Sequence, residues 1–335
     1  MRELLYTVGP SSLGKEDELL LKGATGARLT FSYGTPALQL ERATALKKAA
    51  SKVGRACQVI ADLEGENFRL GVFHERSTFR VDSGASVRLT LPESGPLSSA
   101  DLVLPVPNPL FFSKLRKGSV ITIGDGNALL IVTRTSSSDA SAEVLLGGVI
   151  NNCRVLSIQG NDFQPRSVTE KSLQDLNHVL ASPEYDAIAL SYVSSESDIL
   201  SVRKMVQDAG RTMPIIAKIE TPAGLENLDR ICQFADVVMA ARGDLALTMP
   251  WKELPGAVDT ISSTASSFSI PWILATQIVE GLERFATPTR AEICDLANWL
   301  QKGCSGVLLS YETAFGVRPV DAVSCTASMM ERWGS

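Results

Sequence analysis

The sequence predicts a (β/α)8 barrel, the α/β fold in which eight parallel strands alternate with helices. Short apolar runs recur eight times along the 335 residues, amphipathic segments lie between most of them, and polar residues follow most of the runs. Because the C-terminal ends of parallel barrel strands meet at one mouth, we expect these polar residues to share one site. They are Arg28, Ser32, Asp62, Ser191, Lys218, Glu220, Arg242, Asp244, Thr276, Ser310 and Glu312.

Each predicted strand is a mostly apolar run of four to six residues, which is typical of parallel strands buried on both faces. The strands are 4–8, 27–32, 58–63, 187–192, 215–220, 237–241, 272–276 and 307–310. The helical segments carry apolar residues three and four positions apart, with charged residues on the opposite face. These segments are 16–22, 38–52, 172–181, 197–208, 225–234, 291–302 and 319–332.

A segment of different character interrupts the alternation after the third strand. Its residues alternate between polar and apolar, and glycine-rich turns at 124–126 and 147–148 break the pattern, as in small antiparallel β domains. The strand-like stretches are 72–74, 86–91, 119–123, 128–132 and 142–146. We therefore predict a small, all-β, barrel-like domain at 72–154, inserted into a barrel domain of 1–71 plus 155–335. We expect it to act as a lid that covers the site, with an inert insertion as the alternative.

Composition excludes several classes of function. A net charge of -5 and a pI near 5.3, without a basic cluster, argue against nucleic-acid binding. No apolar run approaches the length of a membrane span. The six cysteines lack the regular spacing of metal sites, and such a distribution is typical of reduced thiols. We expect a cytoplasmic protein, or an organellar one if a transit peptide has been removed.

His74 and His178 are interpreted as structural, which leaves the chemistry to lysine, arginine, carboxylates and hydroxyls.

Lys218 and Glu220 are the strongest candidates for chemistry. The fifth predicted strand reads IAKIE from 216 to 220, and the strand period of two places both charged side chains on one face. Burying them inside a barrel is costly unless they serve a charged ligand, although a buried structural ion pair is the alternative.

A second carboxylate, Asp244, follows the next strand. Two carboxylates at neighbouring strand ends can bind a hard divalent cation such as Mg²⁺ or Mn²⁺ and leave positions for substrate and water. Gly243 would let the backbone approach a bound carboxylate closely. The sequence therefore predicts a metal-assisted anion site with Glu220 and Asp244 as metal ligands.

Three further residues extend this predicted site. Thr276 places a hydroxyl at the end of the seventh strand, although threonine in a strand is more often a packing residue. Arg28 and Arg69 carry planar groups that can each engage two phosphate oxygens, although either alone could be a surface residue. Together with Lys218 and a divalent cation, they describe a clamp for a phosphoryl group.

Over essentially its whole length, the chain resembles the pyruvate kinase family. The order and spacing of several short motifs carry the resemblance. They are TVGPSS (7–12), ARL (27–29) with FS (31–32), IAKIE (216–220), ARGDL (241–245), ATQ (275–277), PTRAE (288–292), and LS (309–310) with ETA (312–314). In that family a mobile β lid interrupts the barrel after the third strand, at the position that the periodicity indicates here.

The resemblance implies transfer of phosphate from phosphoenolpyruvate to ADP, which gives pyruvate and ATP. It implies that Lys218 neutralises the transferring phosphoryl group and the enolate oxygen, while Glu220 and Asp244 hold the divalent metal. Gly243, Asp244 and Thr276 would bind the carboxylate of phosphoenolpyruvate. Thr276 would also order the water chain that protonates enolpyruvate.

Four more residues follow from the resemblance. Arg28 and Arg69 would contact phosphate groups. From the lid, Asp125 and Arg154 match positions that close over the nucleotide.

The monovalent-cation site of the family is only partly matched. Ser32 and Asp62 fit it and could bind K⁺, but Thr30 replaces an Asn and Leu63 replaces a Thr. Asn67 replaces the acidic or basic residue that commonly accompanies potassium dependence or independence. The resemblance therefore leaves the potassium requirement open.

Other departures concern the nucleotide and the assembly. Tyr33 replaces a His, Glu64 a Lys and Tyr311 a Gly, so nucleotide affinity is open. The chain ends at Ser335, just after the eighth barrel helix, so we expect no C-terminal effector domain and no activation by sugar phosphates. We expect a homodimer that forms through the barrel.

Two functions compete with a pyruvate kinase-like phosphotransferase. The departures at Thr30, Leu63, Tyr33 and Tyr311 favour a low-activity or non-catalytic paralogue that acts as a binding or regulatory subunit. A metal-dependent aldolase or lyase acting on a pyruvate enolate is the second alternative, because related barrels use a carboxylate pair for that chemistry. The lid and Arg154 argue against the aldolase.

Overall fold

The structure is a computed structural model that describes residues 2–72, 78–92, 102–124, 126–152, 154–159 and 164–334. The chain divides into two compact units, one formed by Met1–Glu66 with Arg166–Ser335 and the other by Asn67–Pro165. The second unit extends beyond the predicted 72–154 at both ends. The reason is that Phe68–Arg69 forms a strand that pairs with Val155–Ile158.

The first unit opens with three strands and two helices. They are β1 (Glu3–Thr7), α1 (Glu16–Leu21), β2 (Gly26–Thr30), α2 (Pro36–Val53) and β3 (Gln58–Leu63). Local sequence fixes α2 at both ends. The Thr35 hydroxyl accepts a hydrogen bond from the amide of Leu38 and Pro36 begins the helix, while Gly54 ends it with a left-handed φ of 64°.

The second unit is mainly β structure. Its elements are β4 (Phe68–Arg69), β5 (Thr78–Val81), β6 (Ser86–Thr90), β7 (Leu102–Pro105), α3 (Pro109–Lys114), β8 (Val120–Ile123), β9 (Ala128–Thr135), β10 (Asp139–Leu146), β11 (Gly148–Asn151) and β12 (Val155–Ile158). Among the described residues, β4-β12-β8-β9-β10-β6-β7 form one sheet, and β11 and β5 form another.

This unit differs from the predicted antiparallel β domain in three ways. It contains the helix α3, and β6 pairs with β7 in parallel. Among the described residues, its larger sheet has β4 and β7 as edge strands, so it is open where a barrel-like domain was predicted. Val72 lies outside any strand, and the other two residues of the predicted strand 72–74 lie outside the described residues. A period of two in the sequence indicates a strand but carries no information about its partner or direction.

The chain then completes the first unit. The elements are α4 (Glu170–Leu180), β13 (Ala187–Leu190), α5 (Glu196–Asp208), β14 (Ile215–Ile219), α6 (Pro222–Glu226), α7 (Leu228–Phe234), β15 (Val237–Ala241), α8 (Arg242–Thr248), α9 (Leu254–Ser267), β16 (Trp272–Ala275), α10 (Arg290–Gln301), β17 (Gly306–Leu309), α11 (Tyr311–Ala314) and α12 (Pro319–Trp333). Short 3-10 turns cover Trp251–Glu253 and Glu280–Glu283.

Eight strands of the first unit close into a barrel in the order β1-β17-β16-β15-β14-β13-β3-β2. Every neighbouring pair is parallel. The predicted (β/α)8 fold is therefore confirmed. The helix α9 was not among the predicted helical segments, because its many Ser and Thr residues lower its helix propensity. Its residues Val258, Ile261 and Ala265 pack into the core.

The barrel strands contribute alternate residues to two apolar clusters. In β14, Ile215, Ala217 and Ile219 pack among the helices, whereas Ile216 belongs to a smaller cluster made of strand residues only. That inner cluster consists of Leu5, Ile60, Ala187, Ala189, Ile216, Met239, Ile273, Ala275 and Leu308. Because side chains alternate along a strand, residues two positions after these also face the barrel interior, nearer its C-terminal mouth.

Within the described residues, none of the helices combines the length and the apolar character needed to cross a bilayer. His178 lies exposed on α4, and His74 falls outside the described residues.

Candidate active site

A buried polar cluster follows the inner apolar cluster at the C-terminal ends of the barrel strands. Lys218 stands two residues after Ile216, and Asp62 stands two residues after Ile60, so both side chains point inward. Lys218 is 7% exposed, Asp62 3% and Glu220 1%. Charged groups buried to this degree need partners close by.

Lys218 is the centre of the cluster. Its Nζ lies 3.1 Å from Oδ1 of Asp62 and 3.1 Å from Oε1 of Glu220. The same ammonium donates to Oγ of Ser191 at 2.8 Å, and the Ser191 hydroxyl donates to the carbonyl oxygen of Leu63 at 2.9 Å. Residues from three barrel strands or their ends, β3, β13 and β14, thereby fix the position of one positive charge.

Arg28 approaches the cluster from β2. Its NH1 lies 3.1 Å from Oδ2 of Asp62, and its Nε donates to Oγ1 of Thr7 at 3.0 Å. The Thr7 hydroxyl in turn donates to the carbonyl oxygen of Leu309 at 2.8 Å. Asp62 therefore lies between the guanidinium of Arg28 and the ammonium of Lys218, and it orients both.

The environment shifts two pKa values. Burial alone would lower the pKa of Lys218, but the carboxylates of Asp62 and Glu220 outweigh burial and hold that pKa above its ordinary value. Burial raises the pKa of Glu220 to about 7 against the opposing effect of Lys218, and nearby Asp244 adds to the rise. Lys218 therefore stays positively charged at neutral pH.

Tyr192 contacts both carboxylates of the predicted metal site. Its main-chain amide donates to Oε2 of Glu220 at 2.6 Å, and its phenol donates to Oδ1 of Asp244 at 3.1 Å. The carboxylates of Glu220 and Asp244 offer oxygen ligands without sulfur or imidazole, and such ligands suit a hard cation such as Mg²⁺ or Mn²⁺. In the part of the chain that the structure describes, no group of three or more His, Cys, Asp or Glu side chains forms a metal cage.

Thr276 begins a strained turn after β16. Thr276 and Gln277 have left-handed φ angles of 74° and 53°, which residues other than glycine rarely adopt. Arg242 donates to the carbonyl oxygens of Thr276 at 2.7 Å and Gln277 at 3.0 Å. The buried Glu312 accepts a hydrogen bond from the amide of Ile278 at 2.8 Å. Two charged side chains thus hold the turn that presents the Thr276 hydroxyl.

Gly243 and Thr276 lie in direct contact. A Cβ atom added at Gly243 would come within 3.1 Å of Cγ2 and 3.4 Å of Oγ1 of Thr276. The missing side chain leaves the Thr276 side chain close to the start of α8. Gly243 and Thr276, two of the three residues that the resemblance assigns to carboxylate binding, are thus neighbours, and Asp244 follows Gly243 in the chain.

Ser32 and Asp62, the residues expected to bind K⁺, lie at neighbouring strand ends. The amide of Phe31 donates to the carbonyl oxygen of Asp62 at 2.9 Å. Both carboxylate oxygens of Asp62 are already engaged, since Oδ1 lies 3.1 Å from Lys218 and Oδ2 lies 3.1 Å from Arg28. The carboxylate thus already balances two positive charges.

Arg69 and Arg154 belong to the second unit. Arg69 ends β4 and pairs with Val155 of β12, and the amide of Leu70 donates to the carbonyl oxygen of Arg154 at 2.8 Å. The two arginines are therefore neighbours at one edge of that sheet. Asp125, which the resemblance places over the nucleotide together with Arg154, lies outside the described residues.

Comparison with known proteins identifies the family. A family model for the barrel domain of pyruvate kinase matches residues 2–323, nearly the whole chain. This chain belongs to the pyruvate kinase family.

Curated members of the pyruvate kinase family align along almost all of the chain. "Pyruvate kinase 2" of Synechocystis sp. is 30% identical over 335 residues, which cover 98% of this chain and 56% of that protein. The pyruvate kinases of Mycobacterium intracellulare and Chlamydia trachomatis serovar D are 33% and 34% identical, over 96% and 98% of this chain. The chain spans 67% of each of these two relatives.

Sequence reasoning gave no role to several residues of this pyruvate kinase family site. Ser191, Arg242 and Glu312 were among the polar residues that follow the predicted strands, and this position was what indicated that they belong to the site. Thr7 begins the TVGPSS motif but was given no role of its own, and Tyr192 gave no signal, because a Tyr in an apolar strand resembles a packing residue.

Proposed function

We propose that the chain catalyses phosphoryl transfer between phosphoenolpyruvate and ADP, the activity that the name of its relatives denotes. The observation that supports this most is the buried Lys218 ammonium, fixed by Asp62, Ser191 and Glu220 at the barrel mouth. A preorganised positive charge of this kind stabilises negative charge that develops in a transition state.

The reaction breaks the bond between phosphorus and the enol oxygen of phosphoenolpyruvate and forms a bond from phosphorus to an ADP oxygen. The enolate that remains takes up a proton at carbon, which gives pyruvate. In this proposal Lys218 neutralises the transferring group and the enolate oxygen. Arg28, oriented by Asp62 and Thr7, binds phosphate oxygens beside it.

We propose Glu220 and Asp244 as the ligands of Mg²⁺ or Mn²⁺, which when bound would polarise substrate oxygens as a Lewis acid. The two carboxylates, which offer oxygen donors only, support a divalent ion there. K⁺ binding at Ser32 and Asp62 is a separate proposal, in which K⁺ would join Arg28 and Lys218 beside the Asp62 carboxylate.

We propose that the substrate carboxylate lies over Gly243, where main-chain approach is open, and accepts a hydrogen bond from Thr276. The Thr276 hydroxyl also lies on the proposed route of the proton to the enolate. Its left-handed turn supports a functional role, because strain of this kind persists where surrounding contacts enforce it. In the second unit, Arg69 is proposed to contact a phosphate group, and Arg154 is proposed to contact the nucleotide. A homodimer through the barrel is a further proposal, which light scattering in solution tests directly.

The decisive experiment measures pyruvate formation from phosphoenolpyruvate and ADP with Mg²⁺, with and without K⁺. We expect turnover that requires both the divalent ion and ADP, and a loss of about a hundredfold or more in Lys218→Met. Lys204→Met is the matched control, because Lys204 is an exposed residue of α5 that pairs with Asp208 and should not affect turnover.

The alternatives give different results in the same assay. A low-activity or non-catalytic paralogue would bind phosphoenolpyruvate and Mn²⁺ but form pyruvate at a rate that Lys218→Met leaves unchanged. A metal-dependent aldolase or lyase would release pyruvate from a larger hydroxy acid without any nucleotide. Either result would contradict the proposed phosphoryl transfer.

A further inference from the structure

Tyr192 has a backbone conformation that is unusual for its residue type. It follows β13 and has a φ of 53°, in the left-handed region that aromatic residues rarely occupy. Ser191, one residue earlier, faces the barrel interior and contacts Lys218. If the strand continued, the side chain of Tyr192 would point to the face opposite to that of Ser191. The left-handed turn at Tyr192 breaks this alternation.

The turn brings both ends of Tyr192 to the two carboxylates. Its amide donates to Oε2 of Glu220 at 2.6 Å, while its phenol donates to Oδ1 of Asp244 at 3.1 Å. Glu220 follows β14 and Asp244 lies in α8, so one residue joins carboxylates from separate elements. The whole residue is 6% exposed, so both hydrogen bonds are largely protected from water.

The position of the ring is fixed as well. A Cβ atom added at Gly65 would come within 2.7 Å of Cδ2 of Tyr192, so the ring occupies space that only glycine leaves free. The contact is independent of the hydrogen bonds, and it limits where the phenol can move.

We propose that Tyr192 is a positioning residue for the divalent cation: it presets Glu220 and Asp244 as a pair of ligands before the ion binds. This inference rests on the cation site proposed above. An ionised carboxylate has about four acceptor positions, so one hydrogen bond to each leaves positions for an ion. Donors behind metal-binding carboxylates orient them and raise affinity for the ion, and removing such a donor typically weakens binding by about 10- to 100-fold.

Tyr192→Phe removes the phenol oxygen and keeps the ring and the main-chain amide. We expect the Mn²⁺ dissociation constant, measured by electron paramagnetic resonance of the free ion, to rise about tenfold, at the lower end of that range. Tyr6→Phe is the matched control. Tyr6 is buried in β1, and within the described part of the chain its hydroxyl has no hydrogen-bond partner, so Mn²⁺ affinity should be unchanged.

A second measurement distinguishes positioning from a general structural role. Addition of Mg²⁺ to the parent should produce a tyrosine ultraviolet difference spectrum, because the ion changes the field at the Asp244 oxygen that the phenol contacts. We expect this signal to persist in Tyr6→Phe and to disappear in Tyr192→Phe. Melting temperatures establish that both variants are folded.

The outcomes separate this inference from the proposed function. If Glu220→Gln weakens Mn²⁺ binding but Tyr192→Phe binds the ion as tightly as the parent or more tightly, the role of Tyr192 is wrong and the cation site stands. If the parent does not bind Mn²⁺, or Glu220→Gln binds it as tightly as the parent, both the cation site and the role of Tyr192 are wrong.

Discussion

Replacing Lys218 by methionine tests the charge balance of the barrel mouth. The substitution removes an ammonium that lies 3.1 Å from both Asp62 and Glu220, and methionine retains much of the chain length for packing. Asp62 keeps Arg28 as a cationic partner. Glu220 keeps only the amide of Tyr192 among the donors described above, so the effect of the lost charge falls mainly on Glu220.

The magnitude follows from the pKa of Glu220, which is about 7 in the parent and is held down by Lys218. Without the ammonium that pKa rises further. A carboxyl group whose folded pKa is raised loses stabilisation as pH rises from the unfolded pKa to the folded one. In the parent this loss of stability ends near pH 7, whereas in Lys218→Met it continues above pH 7. Below pH 7 the free energy of unfolding of Lys218→Met should therefore be lower than that of the parent by a constant amount, about 1–3 kcal/mol, because hydrogen bonds are lost. Above pH 7 this difference should grow by up to about 1.4 kcal/mol for each pH unit.

Urea unfolding at pH 6, 7, 8 and 9 measures this difference. Tryptophan fluorescence reports on the correct unit, because all the tryptophans lie in the part of the chain that contains the barrel, at positions 251, 272, 299 and 333. Lys204→Met is again the control and should show no such pH dependence. If Lys218→Met is destabilised equally at pH 6 and pH 9, Lys218 does not neutralise Glu220 in the folded protein, and the electrostatic reasoning fails.

Three further predictions concern the metal, the carboxylate site and the thiols. Glu220→Gln should weaken Mn²⁺ binding about tenfold or more, while the exposed Glu226→Gln should not; equal affinities would remove Glu220 from the site. Gly243→Ala should raise KM for phosphoenolpyruvate, because the new methyl group would lie 3.1 Å from Thr276; an unchanged KM would place the substrate carboxylate elsewhere. Alkylation at pH 8, followed by mass spectrometry, should label the exposed Cys294 quickly and leave the buried thiols unmodified, because burial raises their pKa and suppresses the thiolate; rapid labelling of these would show that the barrel opens. The protected thiols are Cys57 and Cys232, each with a pKa of about 12, and Cys304, with a pKa of about 11.

Local periodicity was sufficient for most of the barrel. The predicted strands 58–63 and 237–241 coincide with β3 and β15, and the other barrel strands differ by a few residues at their ends. A buried parallel strand has a nearly continuous apolar sequence, and this property does not depend on its neighbours. In contrast, α9 is helical because its apolar face packs against the core, which its Ser and Thr content does not indicate.

The candidate site was predicted in part. The strand period placed Lys218 and Glu220 on one face, and the structure has Nζ of Lys218 3.1 Å from Oε1 of Glu220. The period did not identify Asp62 as the residue that orients Arg28 and Lys218. Asp62 was expected at the shared site, but the specific role that the resemblance implied for it was K⁺ binding. Lys218 and Asp62 are separated by 156 positions, so their contact depends on barrel closure.

The sequence by itself determined the class of fold, the end of the barrel at which polar residues gather, and the side of each strand that faces inward. These features depend on spacings of a few residues. Only the tertiary structure decided which polar groups meet, because the closed order of the strands brings β3 beside β13 and sets the ends of both near β14. The left-handed turn of Tyr192 toward two carboxylates belongs to this second class, since it depends on contacts with Gly65 and Asp244 that lie far away in the chain.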